Sequence, residues 1–314
     1  MPRYLILLWV LLAGPALLAQ VDQELVPLWA DGPPSCAPAH ETVIEPLNGG
    51  RGRKVASVGT PLIDVYLPVN YRHTGTGVVI CPGGGYSVQA WDWEGTEMAR
   101  WFNTQGVAAF VLRYRLPRET EPPCKDQVAL ADAQRALRLV RSRAEEWGLD
   151  PARVGIMGFS AGGHLASTAG THFDAGDPAA GDPVEQESCR PDFMILMYPV
   201  ISMDTTIAHM GSRRNLIGDS PSPEQVRTFS NERMVTAETP PTLLIHADDD
   251  GGVVPENSVR FYLALRQAGV PAALHIYEKG GHGFAFGEGK GSVEAWRETA
   301  LAWMRGLGLL TRPE

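Results

Sequence analysis

The chain has 314 residues, of which 44% are hydrophobic and 20% are charged. These proportions favour a globular protein with one large domain, or at most two. The formal net charge is −9, the pI is about 5.4 and no basic cluster is present, which argues against nucleic acid as a partner.

Residues 1–19 have the pattern of a secretory signal peptide. Arg3 provides a short positive region, and an apolar run follows at residues 4–12. Small residues then lead to expected cleavage sites near Ala16 or Ala19. The pattern predicts a protein that is secreted or periplasmic.

An N-terminal anchor helix is the alternative interpretation of the same run. Gly14 and Pro15 interrupt it, and it is short for a membrane span. We therefore expect no stable membrane insertion after cleavage, and we expect residues 20–314 to form a single catalytic domain.

The chain contains four cysteines and no CxxC pair, so a metal site is not expected. Cys81 ends a predicted buried strand and is expected to be a core thiol. Cys36, Cys124 and Cys189 lie in proline-rich or polar loops, where two of them can pair in an oxidising compartment. The sequence leaves open which two form the bond.

Apolar runs and helical spacing alternate along most of the chain. Residues 20–60 predict an irregular arm, and residues 202–238 predict polar loops and short helices above the sheet. Strands are predicted at 61–68, 77–81, 107–112, 154–157, 193–198, 242–247 and 272–277. Helices are predicted at 94–105, 126–147, 257–268 and 296–307. This alternation predicts a mostly parallel central sheet with helices on both faces, with the chemistry at the carboxyl ends of the strands.

A serine stands at one such strand end. The buried run at residues 154–157 stops at Gly158, Ser160 follows, and a helical pattern starts at Ala161 and continues through Gly162. This is the strand, turn and helix that a nucleophile elbow requires. The alternative is an ordinary glycine-rich turn, so the rest of the site must support the assignment.

A serine nucleophile needs a histidine base, and that histidine needs a carboxylate to orient it. His282 is the best candidate for the base, because it lies in a glycine-rich loop directly after the last strand. The other downstream histidines have structural or surface interpretations: His164 beside Ser160 on the same helix, His246 and His275 on strands, and His172 and His209 in loops.

The orienting acid is expected in the loop after the strand at residues 242–247. That loop begins with three aspartates at positions 248–250. They are typical of a solvated turn, a cation site or a catalytic acid. We favour Asp250 as the acid, with Asp249 as the second choice.

Acyl transfer also needs backbone N–H donors for the developing oxyanion. Ala161, the residue after the nucleophile, is one candidate, and Gly84 and Gly85 in the glycine-rich loop after residues 77–81 are the others. A phosphate-binding loop is the competing interpretation, but no GK[ST] or GxGxxG pattern follows.

Aromatic residues close to this loop are candidates for a substrate wall. We interpret Tyr86 and Trp91 as substrate-binding residues, and Trp93 is a further candidate, because aromatic rings suit sugar faces. Core packing is the alternative for both tryptophans.

Taken together, these motifs resemble the α/β-hydrolase fold carbohydrate esterases of the acetylxylan esterase and feruloyl-esterase-like group. The matching stretches are residues 27–29, 81–86, 94–95, 112–115, 132–136, 158–166, 198–200, 254–258 and 280–284. The resemblance implies an α/β-hydrolase fold, an acyl-enzyme intermediate and no cofactor or metal. It implies Ser160 as nucleophile, Asp250 as acid and His282 as base. The acid loop is one glycine longer than the group's usual spacing.

The expected activity is therefore deacylation, above all deacetylation, of plant polysaccharides such as xylan, with an acylated carbohydrate or small ester as substrate. Two rivals remain. A prolyl-oligopeptidase-like peptidase has a similar catalytic domain but usually carries a propeller, for which this chain has no room. A non-catalytic binding protein of the same fold usually lacks a member of the triad.

Overall fold

The computed structural model describes residues 24–38, 40–47, 52–69 and 72–311. The expected signal peptide at residues 1–19 lies outside these ranges. Within them, no helix combines the length and the apolar composition that a membrane crossing requires.

The described residues form ten strands. They are β1 (Glu24–Pro27), β2 (Val43–Pro46), β3 (Arg53–Ser57), β4 (Leu62–Tyr66), β5 (Gly77–Cys81), β6 (Ala108–Arg113), β7 (Val154–Phe159), β8 (Met194–Met197), β9 (Thr242–Ala247) and β10 (Ala272–Tyr277). Eight of them form one sheet in the order β1-β4-β6-β5-β7-β8-β9-β10. Strands β6, β5, β7, β8, β9 and β10 run parallel, and β1 and β4 are antiparallel to their neighbours.

Seven α-helices accompany the strands in the described ranges. They are α1 (Glu97–Thr104), α2 (Val128–Ser142), α3 (Ser160–Thr171), α4 (Met210–Ile217), α5 (Pro223–Thr228), α6 (Glu256–Gln267) and α7 (Trp296–Gly306). Every residue of β5, β7, β8 and β9 is buried, so the middle of the sheet is covered on both faces. The mostly parallel sheet predicted from the sequence is confirmed.

Two parts of the prediction differ from the structure. The arm at residues 20–60 is not irregular throughout, because β1 pairs with β4 at the sheet edge and β2 pairs with β3. Strands β1 and β2 are short and largely exposed, so they carry no apolar alternation. The long helix predicted at residues 126–147 is shorter, since α2 ends at Ser142 and turns continue to Gly148, where φ is +65°.

The arm is held to the domain by a disulfide and a buried ion pair. Cys36 and Cys124 form the disulfide, while Cys81 and Cys189 are buried free thiols. Arg115 donates from its Nη2 to Asp132 Oδ1 at 2.6 Å and from its Nη1 to the carbonyl oxygen of Cys36 at 3.0 Å. The pairing that the sequence left open is therefore Cys36 with Cys124.

Replacing both disulfide partners, Cys36→Ala with Cys124→Ala, should lower the free energy of unfolding by about 2–5 kcal/mol, because the bond closes a long loop in the unfolded chain. The sequence separation is 88 residues. Urea unfolding measures the loss, and the parent protein in reductant provides the matched comparison. Equal unfolding midpoints for the oxidised parent and the double variant would contradict this expectation.

Candidate active site

The turn between β7 and α3 presents Ser160 in a strained backbone conformation, with φ at +51°. A Cβ on Gly158 would collide with the carbonyl oxygen of Gly162, and a Cβ on Gly162 would collide with the carbonyl oxygen of Cys81. Only glycine fits either position, because the chain doubles back on itself and packs against the end of β5. Ser160 is therefore held at the carboxyl edge of the sheet.

Three side chains from different loops form a hydrogen-bonded row at this edge. Ser160 Oγ lies 2.8 Å from His282 Nε2, and His282 Nδ1 lies 2.7 Å from Asp250 Oδ2. The sequence distances between them are large, so the sheet topology alone brings them together. An imidazole held in this way can accept a hydroxyl proton and leave the oxygen able to attack a carbonyl carbon.

The two adjacent aspartates have different surroundings. The Asp250 side chain is buried, and its Oδ1 accepts from the N–H groups of Gly252 and Val253, both at 2.8 Å. Burial alone would raise the pKa of Asp250, but hydrogen bonds from His246, His282 and the Val253 N–H outweigh it and hold the pKa well below its usual range. Asp250 is therefore an ionised partner for His282.

Asp249 instead supports the loop that carries His282. Its Oδ1 accepts from the N–H groups of Gly280 at 2.9 Å and Gly281 at 2.8 Å. These bonds lower the pKa of Asp249, with the Gly281 N–H making the largest contribution. The contact with the imidazole belongs to Asp250, and Asp249 fixes the backbone just before it.

The glycine-rich loop after β5 lies against Ser160. A Cβ on Gly83 would lie 3.0 Å from the Cβ of Ser160. Among the hydrogen bonds of the described residues, neither the Gly84 N–H nor the Gly85 N–H donates to a protein acceptor. Ala161 is in the first turn of α3, where N–H groups have no acceptor within the helix. Unpaired backbone donors thus flank the serine.

A buried carboxylate, Glu94, ties this loop to the rest of the site. Its Oε2 accepts from the Gly83 N–H and its Oε1 accepts from the Tyr198 hydroxyl, both at 2.8 Å. The Tyr198 ring meets the His282 ring edge to face at a centroid distance of 5.2 Å. Burial raises the pKa of Glu94 to about 6, although Tyr198, Gly83 and His282 act in the opposite direction.

A cavity of about 400 Å³ opens over these groups. Its wall combines Ser160, His282 and the glycine-rich loop with side chains from the segment at residues 202–238. The lining residues are Gly84, Gly85, Ser87, Ala90, Trp93, Glu94, Ser160, His209, Gly211, Asn215, His282 and Gly283. In the described ranges, no group of three or more His, Cys, Asp or Glu residues is arranged to hold a metal ion.

The BD-FAE family profile matches residues 63–265, which is most of the chain and includes the elbow and Asp250. The chain belongs to the BD-FAE family.

Two curated relatives are similar to this chain over about two thirds of its length or more. An acetylxylan esterase of Xylanibacter ruminicola is 40% identical over 226 residues, which cover 71% of this chain and 43% of that protein. An endo-1,4-beta-xylanase B of Butyrivibrio fibrisolvens is 37% identical over 207 residues, which cover 66% of this chain and 32% of that protein. The chain therefore spans less than half the length of these curated relatives.

A solved structure matches the chain over nearly its whole length. The crystal structure of an acetyl ester-xyloside bifunctional hydrolase from Caldicellulosiruptor lactoaceticus superposes with a TM-score of 0.79 at 39% identity, and the match covers 91% of this chain and 97% of that one. The expected α/β-hydrolase fold is confirmed by this likeness and by the parallel sheet.

In this family member, two residues interpreted as substrate-binding are corrected by the structure. Tyr86 and Trp91 are each only 1% exposed and belong to the core. The Tyr86 hydroxyl lies 2.8 Å from His164 Nδ1, and the guanidinium of Arg113 lies 4.7 Å from the centroid of the Trp91 ring. Trp93 lines the cavity instead. The helical turns that follow the loop place the rings of Trp91 and Trp93 on opposite sides. The positions of the two residues in the sequence did not show which ring would be buried.

The structure also places two residues at the site that the sequence did not single out. His209, interpreted as a loop or surface residue, and Asn215 both line the cavity. Asn215 Nδ2 donates to the carbonyl oxygen of Gly85 at 2.7 Å, so α4 contacts the glycine-rich loop directly. No local motif marks either residue. The only feature of the sequence that pointed to His209 and Asn215 was the prediction that residues 202–238 lie above the sheet.

Replacing Glu94 by Gln should destabilise the protein more in acid than at neutral pH. The pKa of Glu94 is raised from 4.5 to about 6, so its proton stabilises the folded state below pH 4.5, and this stabilisation is lost as the pH rises through 6. Gln does not titrate, so the cost of Glu94→Gln in unfolding free energy should be larger near pH 4 than near pH 7.5 by about 2 kcal/mol.

Urea unfolding at the two pH values measures this difference. Glu97→Gln, an exposed position on α1, provides the control for exchanging a carboxylate for an amide. A cost for Glu94→Gln that is the same at both pH values would show that the proton on Glu94 is not linked to folding.

Proposed function

We propose that this protein is a serine esterase that removes short acyl groups, above all acetyl, from plant polysaccharides such as xylan through an acyl-enzyme intermediate. The observation that carries the proposal is the continuous hydrogen-bonded row from Ser160 through His282 to Asp250, set beside unpaired backbone donors in one cavity. The substrate class comes from the two relatives described above, an acetylxylan esterase and an endo-1,4-beta-xylanase.

Acylation begins when His282 Nε2 takes the proton from Ser160 Oγ. The oxygen attacks the ester carbonyl carbon, and the C=O electrons move onto the oxygen to form a tetrahedral oxyanion. The N–H groups of Gly84, Gly85 and Ala161 donate to that oxyanion, as the loop and the first turn of α3 allow. Asp250 keeps the imidazole oriented and stabilises its positive charge.

The intermediate collapses when the C–O bond to the sugar breaks and His282 gives its proton to the leaving sugar oxygen. The serine then carries the acyl group as an ester. His282 next removes a proton from water, whose oxygen attacks the same carbon. The second tetrahedral intermediate collapses when the bond between the carbon and Ser160 Oγ breaks and His282 returns the proton to Oγ, which releases the carboxylic acid and restores the enzyme.

The proposal of an acylated carbohydrate as substrate rests on similarity to known proteins. The relative from Xylanibacter ruminicola is an acetylxylan esterase, and the matching crystal structure is of an acetyl ester-xyloside hydrolase. The cavity size is compatible with an acyl sugar residue, and Trp93 in its wall offers an aromatic face. A non-catalytic protein of this fold usually lacks a member of the triad, and all three triad residues are present here. A peptidase would share the triad, so the choice of substrate separates it from an esterase.

Replacing Ser160 by Ala should abolish the esterase activity. Purified parent should release acetate from acetylated xylan and hydrolyse p-nitrophenyl acetate, and Ser160→Ala should lower kcat by about 10⁴-fold or more, because no nucleophile remains. An aminoacyl anilide tests the peptidase alternative. Activity of Ser160→Ala equal to that of the parent, or a parent inert on both esters, would refute the proposal.

Two adjacent isosteric substitutions separate the acid from its neighbour. Asp250→Asn should lower kcat on p-nitrophenyl acetate by about 10⁴-fold, because the imidazole loses its charged partner. Asp249→Asn should stay within several-fold of the parent, because an amide oxygen can still accept from Gly280 and Gly281. Equal losses in the two variants would contradict the assignment of Asp250.

We also propose that the protein is exported and that its signal peptide, within residues 1–19, is cleaved near Ala16 or Ala19. The disulfide between Cys36 and Cys124 supports an oxidising compartment. N-terminal sequencing of protein recovered from the periplasm or the medium should begin just after Ala16 or Ala19. Recovery of the intact N-terminus from the cytoplasm would contradict export.

A further inference from the structure

His209 places its imidazole in the wall of the same cavity as Ser160 and His282. It is the N-cap residue of α4, in the segment that lies above the carboxyl edge of the sheet. A Cβ built on Gly85 would lie 4.0 Å from His209 Cε1, so the ring stands beside the glycine-rich loop. The mechanism described above gives this ring no role.

The hydrogen bonds of His209 decide where its proton sits. The backbone N–H of Ser212 donates to His209 Nδ1 at 3.2 Å, and Ser212 Oγ lies 2.8 Å from the same nitrogen. A backbone N–H can only donate, so Nδ1 must be an acceptor, and the neutral ring carries its proton on Nε2. Burial lowers the pKa of His209, and the nearby His282 adds to this, so the ring is neutral at neutral pH.

The Nε2–H of His209 is thus a fixed donor. Within the part of the chain that the structure describes, Nε2 forms no hydrogen bond, and it is not among the fully buried polar atoms that lack a partner. A donor that is oriented by a helix cap and open to a substrate cavity is of the kind that fixes a ligand's orientation.

The orientation of this donor is tied to the loop that carries the oxyanion donors. Asn215, on the same helix, donates to the carbonyl oxygen of Gly85 at 2.7 Å. A Cβ on Gly211 would lie 3.1 Å from His209 Cε1, so the backbone of α4 packs closely beneath the ring. The helix therefore holds the His209 donor at a set position relative to the glycine-rich loop.

The chemistry of an acetylated sugar suggests what this donor binds. The acetyl methyl accepts no hydrogen bond, and the carbonyl oxygen is already served by the backbone donors of Gly84, Gly85 and Ala161. The remaining acceptors are oxygens of the sugar itself. We propose that His209 Nε2–H donates to a sugar oxygen on the alcohol side of the ester, which makes His209 a specificity-determining residue for acylated carbohydrates over simple esters. This inference rests on the proposed function.

The test is His209→Asn, compared on two esters. Asn places an oxygen where Nδ1 stood, so it preserves the cap of α4 while removing the donor at Nε2. We expect kcat/KM on acetylated xylooligosaccharides to fall about 5- to 10-fold, the loss of one neutral hydrogen bond. On p-nitrophenyl acetate, which has no sugar oxygen, kcat/KM should stay within about 2-fold.

Two further variants complete the experiment. His209→Gln keeps an N–H donor near the position of Nε2 and should recover part of the preference for the sugar ester, which also keeps the test valid if the Asn variant folds poorly. Arg214→Gln, an exposed ion-pair residue on the same helix, is the control and should match the parent on both esters.

The outcomes are distinguishable. Equal losses of His209→Asn on both esters would place the donor at the ester carbonyl and overturn the inference, as would no loss on either. A parent that hydrolyses p-nitrophenyl acetate but releases no acetate from the oligosaccharide would overturn the proposed substrate class, and the inference with it.

Discussion

The close approach of three backbone segments around Ser160 is the constraint on which the rest of the site depends. The turn after β7 folds back on α3, and α3 in turn packs against the end of β5, with no space for a Cβ at Gly158 or Gly162. Because these contacts are between backbones, they cannot relax through side-chain rotation. The strained φ of Ser160 is maintained by them, and the glycine-rich loop after β5 is brought beside the serine.

Burying Glu94 next to this loop has a cost, since a carboxylate loses its hydration there. The hydrogen bonds to the Gly83 N–H and the Tyr198 hydroxyl offset part of this cost, and Tyr198 also accepts from the Ala285 N–H at 3.2 Å. Through Tyr198, one buried carboxylate thereby connects the glycine-rich loop with the loop that carries His282. We interpret it as a positioning group, because it contacts the glycine-rich loop and Tyr198 and makes no hydrogen bond to Ser160, His282 or Asp250.

Sequence reasoning succeeded where a local pattern has one physical solution. Short, mostly apolar runs bounded by turn residues, such as β5 and β9, favour strands covered on both faces, and their bounds agree with the prediction. It failed where the outcome depends on distant packing. Strand β1 is held by backbone pairing with β4 and has no apolar pattern, and Trp91 and Trp93 differ in burial because the helical turns that follow the loop send their rings to different sides.

The sequence by itself determined the alternation of strands and helices, and with it the loops in which Ser160, the three aspartates and His282 stand, because these follow from periodicity and turn chemistry. Only the tertiary structure decided that Asp250 contacts His282, that Cys36 pairs with Cys124, and that His209 faces the cavity. Each of these depends on distances between residues far apart in the chain, and such distances are set by how the loops pack on the sheet.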